Sequence, residues 1–450
     1  MRTNTKAAPV PASLTFEGTP AKRTTDAQAL RRAVVSCLLW EDQFYESGEA
    51  IADRIAKLVA VVDPAVTAAL AIEARESFKL RHVPLLLVRE LVRRKVNVTA
   101  TLARVIQRPD EMAEFLSLYW KDGKTPIAAS VKRGLALAFP KFSAYSLAKY
   151  NRADAIKLRD VLFLARPKSK DDEQRATWKA LAEGALAAPD TWEVALSAGK
   201  DKRETFTRLI GEGKLGALAL LRNLRNMQEA KVDESVIRGA LATCDTERVL
   251  PFRFVAAARY APRLEDALEA AMFRCVAGLP KLAGLTALVV DTSPSMWMAK
   301  VSAKSEMDRF DAAAALAILC REMCESVTVY AFNETVYDVP ARRGFALRDA
   351  LAATKGQASC GGLAVDRANQ HGYDRIIVLT DGEWHYSAPG GGFAPAGDSK
   401  VVIPRPLTDK AYLININSAR NAIGSNRWTM LDGWSESVLE FVRAAETELA

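Results

Sequence analysis

The stretch Leu285-Thr286-Ala287-Leu288-Val289-Val290-Asp291-Thr292-Ser293-Pro294-Ser295 decides the architecture of the C-terminal part of the chain. A continuous apolar run that stops abruptly at an acid and hydroxyls is the signature of a parallel strand buried on both faces. Downstream, Ser326–Phe332 (SVTVYAF), Asp374–Asp381 (DRIIVLTD) and Ala411–Asn417 (AYLININ) read as further strands. Between and after them, Asp308–Cys324, Leu347–Ala353, Leu363–Asn369 and Ser435–Leu449 carry helical spacing. Strands that alternate with helices predict an α/β domain with a mostly parallel sheet over residues 285–450. The Gly/Pro-rich stretch Ser387–Ser399 reads as a loop within it.

Upstream of Leu285 the pattern differs. Residues 1–25, rich in Pro, Thr, Ala and Lys, read as an extended arm, and residues 26–284 as helical almost throughout. Ile51, Ile55, Leu58 and Val62 mark one face of a helix that stops before Pro64. Leu85, Val88, Leu91 and Val92 mark another, after Pro84 at a favoured helix start. Short helices follow from Asp110–Trp120 through Leu264–Gly278, divided by Pro and Gly. Short paired helices without strand alternation predict a helical-repeat solenoid, with degenerate units because no strict sequence repeat is present.

Composition narrows the function classes. At 450 residues the chain is too long for one core, so two or three domains are expected. No apolar run approaches the ~20 residues of a membrane helix, and the N-terminus has no secretory apolar region. The six cysteines (Cys37, Cys244, Cys275, Cys320, Cys324 and Cys360) form no CxxC pair and read as buried free thiols of a cytoplasmic protein. Cys320 and Cys324 are expected on one helix face, as core rather than as a metal site. The net charge of +8 is uneven: from Leu285 onward 16 Lys and Arg face 20 Asp and Glu, which leaves +12 on the preceding residues. A basic helical part suits a polyanion, and an acidic α/β part suits a cation.

The α/β part carries a candidate cation site. Asp291, Ser293 and Ser295 follow the first strand, and Asp381 ends a later one at a Thr380-Asp381-Gly382 turn. Open α/β sheets bind ligands at such strand ends. Two carboxylates and two hydroxyls are hard donors suited to a divalent cation, most naturally Mg²⁺. The plainer alternative is that both acids cap the following turns. In this setting the four residues resemble the metal-ion-dependent adhesion site of von Willebrand factor type A domains, a Rossmann-like α/β fold. That family adds a threonine in a Gly-Gly-Thr loop, and here the matching stretch is Ser359-Cys360-Gly361-Gly362-Leu363. Leucine cannot ligate a metal, so Ser359 or a water takes its place, or the site is weak or vacant.

The helical part carries a candidate RNA surface. Lys132, Arg133, Lys141, Lys149, Arg152, Lys157, Arg159, Arg166, Lys168 and Lys170 form its densest cationic stretch, interleaved with Phe139, Phe142, Tyr145 and Tyr150. Cations neutralise phosphates and rings stack on bases, although a solvated helix face over core aromatics has the same composition. Phe78–Leu87, Leu147–Lys168, Leu215–Met227 and Val249–Tyr260, in this order, resemble the TROVE domain of the Ro autoantigen proteins over most of Asp26–Ala277. The resemblance implies a HEAT-like helical-repeat ring. Its outer surface would bind small noncoding Y-like RNAs, and its hole would take single-stranded 3′ ends of misfolded RNAs, with an exoribonuclease as a further partner. Relatives often carry a histidine where Leu158 stands, so any contact made by that histidine is absent here.

Nothing else in the sequence argues for a catalytic centre. His82, His371 and His385 show no zinc spacing, and no phosphate-binding glycine loop or nucleophile elbow occurs. His82 reads as a structural hydrogen bonder, and His385 as a loop residue near the cation site. The expected activity is therefore binding without catalysis. The rival reading is a metal-dependent protein-interaction module on a helical scaffold.

Overall fold

The computed structural model describes residues 25–35, 48–151, 155–247, 249, 251–298, 300–301, 307–357, 359–382, 404–416, 427–432 and 437–449. The expected N-terminal arm, the Gly/Pro-rich stretch, Cys37, Arg152 and His385 lie outside them, apart from Thr25. Two compact units divide between Cys275 and Val276. The first strand already begins at Leu282, which moves the change of architecture ahead of the expected Leu285.

The first unit is helical. Its elements are α1 (Asp26–Val35), α2 (Gly48–Val61), α3 (Pro64–Glu76), α4 (His82–Arg93), α5 (Thr99–Val105), α6 (Pro109–Tyr119), α7 (Ala129–Ala138) and α8 (Ala144–Tyr150). They continue with α9 (Leu158–Ala165), α10 (Asp172–Glu183), α11 (Trp192–Ser197), α12 (Lys202–Gly211), α13 (Ala217–Glu229), α14 (Glu234–Thr243), α15 (Phe252–Ala258) and α16 (Glu265–Val276). Helices two apart in sequence pack side by side: α2 on α4 on α6, and α3 on α5 on α7 on α9. The two rows touch through α3·α4, α4·α5 and α6·α9. Such a double row is how short amphipathic helices that cannot bury a face alone bury it against neighbours. Ile55, Val88, Leu91, Phe115, Leu135 and Phe139 are fully buried between them, each worth roughly 1.5–3 kcal/mol.

Local signals set the helix ends. Pro64 opens α3, as proline does at a first helical position, and the Asp63 carboxylate accepts from Ala65 N at 2.7 Å and Val66 N at 3.2 Å. Glu111 accepts from the Gln107 and Arg108 amides at the start of α6. Its other oxygen accepts from Arg75 of α3 at 2.6 Å, while Arg75 Nε donates to Val105 O at the end of α5. One buried ion pair thus joins three helices. Its carboxylate is fully buried, so its hydrogen bonds offset a desolvation cost that a lone charge could not meet.

The second unit is α/β: β1 (Leu282–Asp291), α17 (Pro294–Met298), α18 (Arg309–Met323), β2 (Cys324–Phe332), β3 (Val336–Val339), α19 (Gly344–Ala352), α20 (Gly361–Asn369), β4 (Arg375–Thr380), β5 (Lys410–Asn415), β6 (Thr429–Asp432) and α21 (Ser437–Leu449). The strand order is β3-β2-β1-β4-β5-β6. β3 is antiparallel and the other pairings are parallel. Ala287, Val289, Phe332, Val378, Leu413 and Trp428 form the core on one face of the sheet. The strand expected at Ser326 starts two residues earlier, so Cys324 opens β2 instead of sharing a helix face with Cys320. Both thiols are buried, and burial pushes both upward in pKa.

Candidate functional site

The sheet order reverses direction between β1 and β4, whose carboxyl ends therefore flank the crevice where doubly wound sheets bind ligands. Asp291 ends β1, and Asp381 follows β4 on a turn where Gly382 has φ +81°. Both acids are completely buried. Asp291 Oδ1 accepts from Ser293 N at 2.9 Å and its Oδ2 from Thr380 Oγ1 at 2.7 Å. The Ser293 and Ser295 hydroxyls stand 3.3 Å apart. Thr292 anchors the turn, its amide donating to Phe332 O at 2.9 Å. The structure thus gathers Asp291, Ser293 and Ser295 into one cluster.

The electrostatics set the two acids apart. Burial, and then the charge of Asp381, push the Asp291 carboxyl up to about 7; the Ser293 and Thr380 hydrogen bonds pull the other way. Asp381 Oδ2 accepts from Arg309 Nη1 at 2.7 Å, and both side chains are at least nine-tenths buried. Sequence reasoning missed Arg309. It occupies the first position of α18, behind the Asp308 cap, where the helix dipole disfavours a cation. That misplaced charge was the available signal.

The donor set fits a hard divalent cation. Cys360 N donates to Asn333 O at 2.6 Å, and Asn333 adjoins the Phe332 carbonyl that holds Thr292. This tether brings the Ser359–Cys360 loop to the same end of the sheet. The Ser359 hydroxyl is buried without a hydrogen-bond partner, a donor oxygen left over for use. Leu363 lies within α20, its amide donating to Cys360 O at 3.1 Å.

The helical unit presents the expected cations on neighbouring helices, since α7 packs on α9. Lys132 and Arg133 on α7, Lys149 on α8, Lys157 and Arg159 at the start of α9, and Lys168 beyond its end are all exposed. Lys141 is exposed as well, but its ammonium donates to Ala103 O and Ile106 O at the end of α5, and partial burial there lowers its pKa. It caps a helix. The aromatics divide likewise. Phe139 and Phe142 belong to the core, whereas Tyr145 is 46 % exposed and Phe163, which sequence reasoning did not single out, is 63 % exposed. Tyr150 is covered by the Arg108 guanidinium, 4.5 Å from its ring centroid.

In class, the chain is a helical-repeat protein that also contains a doubly wound α/β unit with a carboxylate–hydroxyl cluster at its switch point. Residues 178–275 match the TROVE domain family model. The chain is similar in structure to the Ro (RSR) protein of Deinococcus radiodurans, with a TM-score of 0.61, 19 % identity, and coverage of 93 % of this chain and 99 % of that one. Among curated proteins, none matches the chain. The TROVE match covers part of the helical unit, and the likeness to the Ro (RSR) protein shows the fold. The expected fold class, a helical-repeat ring with an α/β unit, accords with the likeness. The match spans less than the expected Asp26–Ala277 and leaves the cationic stretch on its N-terminal side. No helix among the described residues is long and apolar enough to cross a membrane.

Proposed function

We propose that the protein is a cytoplasmic noncoding-RNA scaffold that binds without catalysing. It holds a small structured Y-like RNA by its phosphates and single-stranded 3′ ends of misfolded RNAs, and it presents such RNA to an exoribonuclease. The observation that carries the reading is the set of exposed cations on α7, α8 and α9, in a chain with a TROVE match and a Ro-like fold. Lys and Arg dominate the surface, so its contacts are to phosphate. Affinity is then steeply salt-dependent and tolerant of sequence.

Replacing Lys149, Lys157, Arg159 and Lys168 together by Ala tests this. Each lost contact lowers the log–log salt slope by about 0.7 for a single strand, so the slope should flatten by up to about three units while helicity is retained. An unchanged affinity and slope for a structured RNA with a free 3′ tail would place the RNA surface elsewhere.

A second reading rests on the α/β unit. A Mg²⁺ ion held by Asp291, Ser293 and Ser295, with Asp381 reached directly or through water, would offer an open coordination position to an acidic group of a protein partner. Calorimetric titration of Mg²⁺ into the parent and Asp291→Ala tests it. Equal heats would leave the cluster without a cation role.

A further inference from the structure

A pocket of about 480 Å³ opens between α4 and α6 in the helical unit, the size of a ligand site for a nucleotide. Leu85, Leu118 and Ile156 form apolar walls, and His82, Glu114 and Lys121 bring polar groups to it. Glu114 Oε1 accepts from Arg81, while Oε2 is buried with no hydrogen-bond partner, 3.9 Å from His82 Nδ1. Burial, and then the charges of Arg81 and Arg108, lower the His82 pKa. The pocket therefore combines a flat ring, a carboxyl acceptor whose pKa burial raises, and apolar walls, with a lysine among its lining residues.

Its position matters as much as its chemistry. α6 packs on α8 and α9, and Ile156 immediately precedes Lys157 of the exposed cationic stretch. A strand whose phosphates reach Lys157 would therefore run next to a residue of the pocket wall.

We propose that this pocket receives one unstacked base of a single-stranded RNA and favours a base with an exocyclic amine. The exocyclic amine of adenine, cytosine or guanine donates to Glu114, while uracil has only its ring N3–H between two carbonyls and is disfavoured. The base lies against His82 and the aliphatic walls, and Lys121 answers a neighbouring phosphate. This inference rests on the RNA reading above and adds to it a base preference that phosphate contacts alone do not generate.

The test uses the full-length protein and 5′-fluorescein-labelled decamers of adenosine, cytidine or uridine, with anisotropy read across a salt series. The parent should bind the adenosine and cytidine decamers at least about tenfold tighter than the uridine decamer, the lower end of the worth of one hydrogen bond to a charged group. Glu114→Gln and Ser117→Phe, the latter filling the pocket, should erase that preference and leave the salt slope unchanged. Lys121→Ala should instead lower the slope by about 0.7 and keep the preference. Circular dichroism confirms that each variant is folded. Equal binding of all three decamers by the parent, or a preference that survives both Glu114→Gln and Ser117→Phe, overturns the pocket and leaves the RNA reading standing. A parent that binds no decamer and no structured RNA overturns both.

Discussion

Arg309 shows how a single residue would tune the proposed cation site. Its guanidinium lies 2.7 Å from Asp381 in a place closed to water, so part of the negative charge a divalent ion would meet is already answered. Removing one member of a buried pair costs about 3–5 kcal/mol, because the other charge stays buried. Arg309→Met should therefore melt at a lower temperature without Mg²⁺, regain much of the loss with it, and bind Mg²⁺ about tenfold tighter by calorimetry. An unchanged Mg²⁺ affinity would show that the guanidinium and the ion do not share Asp381. The pH dependence has a definite sign. Asp291 titrates near 7 in the folded protein and near 4 when unfolded. Between those values the native state binds the extra proton, so this group's contribution to stability falls as pH rises. A cation on Asp291 offsets that loss only once the carboxyl is ionised. The Mg²⁺-induced rise in melting temperature should then be larger at about pH 7.5 than at about pH 5.5, and equal rises would exclude Asp291 as a ligand. Asp291, Ser293, Ser295 and Asp381 were legible in the sequence because strand ends and hydroxyl spacing are local. Arg309 was not, since its partner lies 72 residues away.

The elements were legible where their apolar period was long. β1, β2, β4 and β5 appear within a few residues of their expected places. β3 and β6, with four residues each, were missed because VYDV and TMLD carry too short a pattern to stand out. α3 and α5 were not singled out either, although Asp63-Pro64 is a strong start signal in hindsight. Packing between elements was not legible. In α7 a Cβ on Gly134 would meet Leu102 Cβ of α5 at 2.9 Å and Thr99 O at 3.1 Å. Gly239 in α14 has nothing within 4 Å. Both are helical glycines, so propensity favours replacing either by about 1 kcal/mol. Gly134→Val should nevertheless destabilise by roughly 1–3 kcal/mol through overpacking, whereas Gly239→Ala should stabilise by about 0.5–1 kcal/mol. Urea unfolding monitored by circular dichroism checks both. Stabilisation by Gly134→Val as well would mean that α5 and α7 do not approach as closely as Gly134 permits.

For the whole molecule, the division of charge matches the division of candidate sites. The basic excess lies before Leu285, with the exposed cations of α7–α9, and the acidic excess after it, with the carboxylate–hydroxyl cluster. The proposed RNA contacts and the proposed cation site share no residue and fall in different compact units. Asp291→Ala should therefore leave RNA affinity and its salt slope unchanged while it abolishes Mg²⁺ binding. A drop in RNA affinity measured by anisotropy would show that the two units are energetically coupled. The sequence by itself determined the two-part architecture, the parallel sheet, the cationic stretch and four cluster residues, because periodicity, strand-end chemistry and charge density are properties of neighbouring residues. Only the tertiary structure decided that Lys141 caps α5, that Phe139 and Phe142 are core while Phe163 is exposed, and that Arg309 answers Asp381. It also decided that His82, Glu114 and Lys121 line one pocket. Each of these depends on which helix or strand packs against which, and burial and long-range pairing exist only once the chain has folded back on itself.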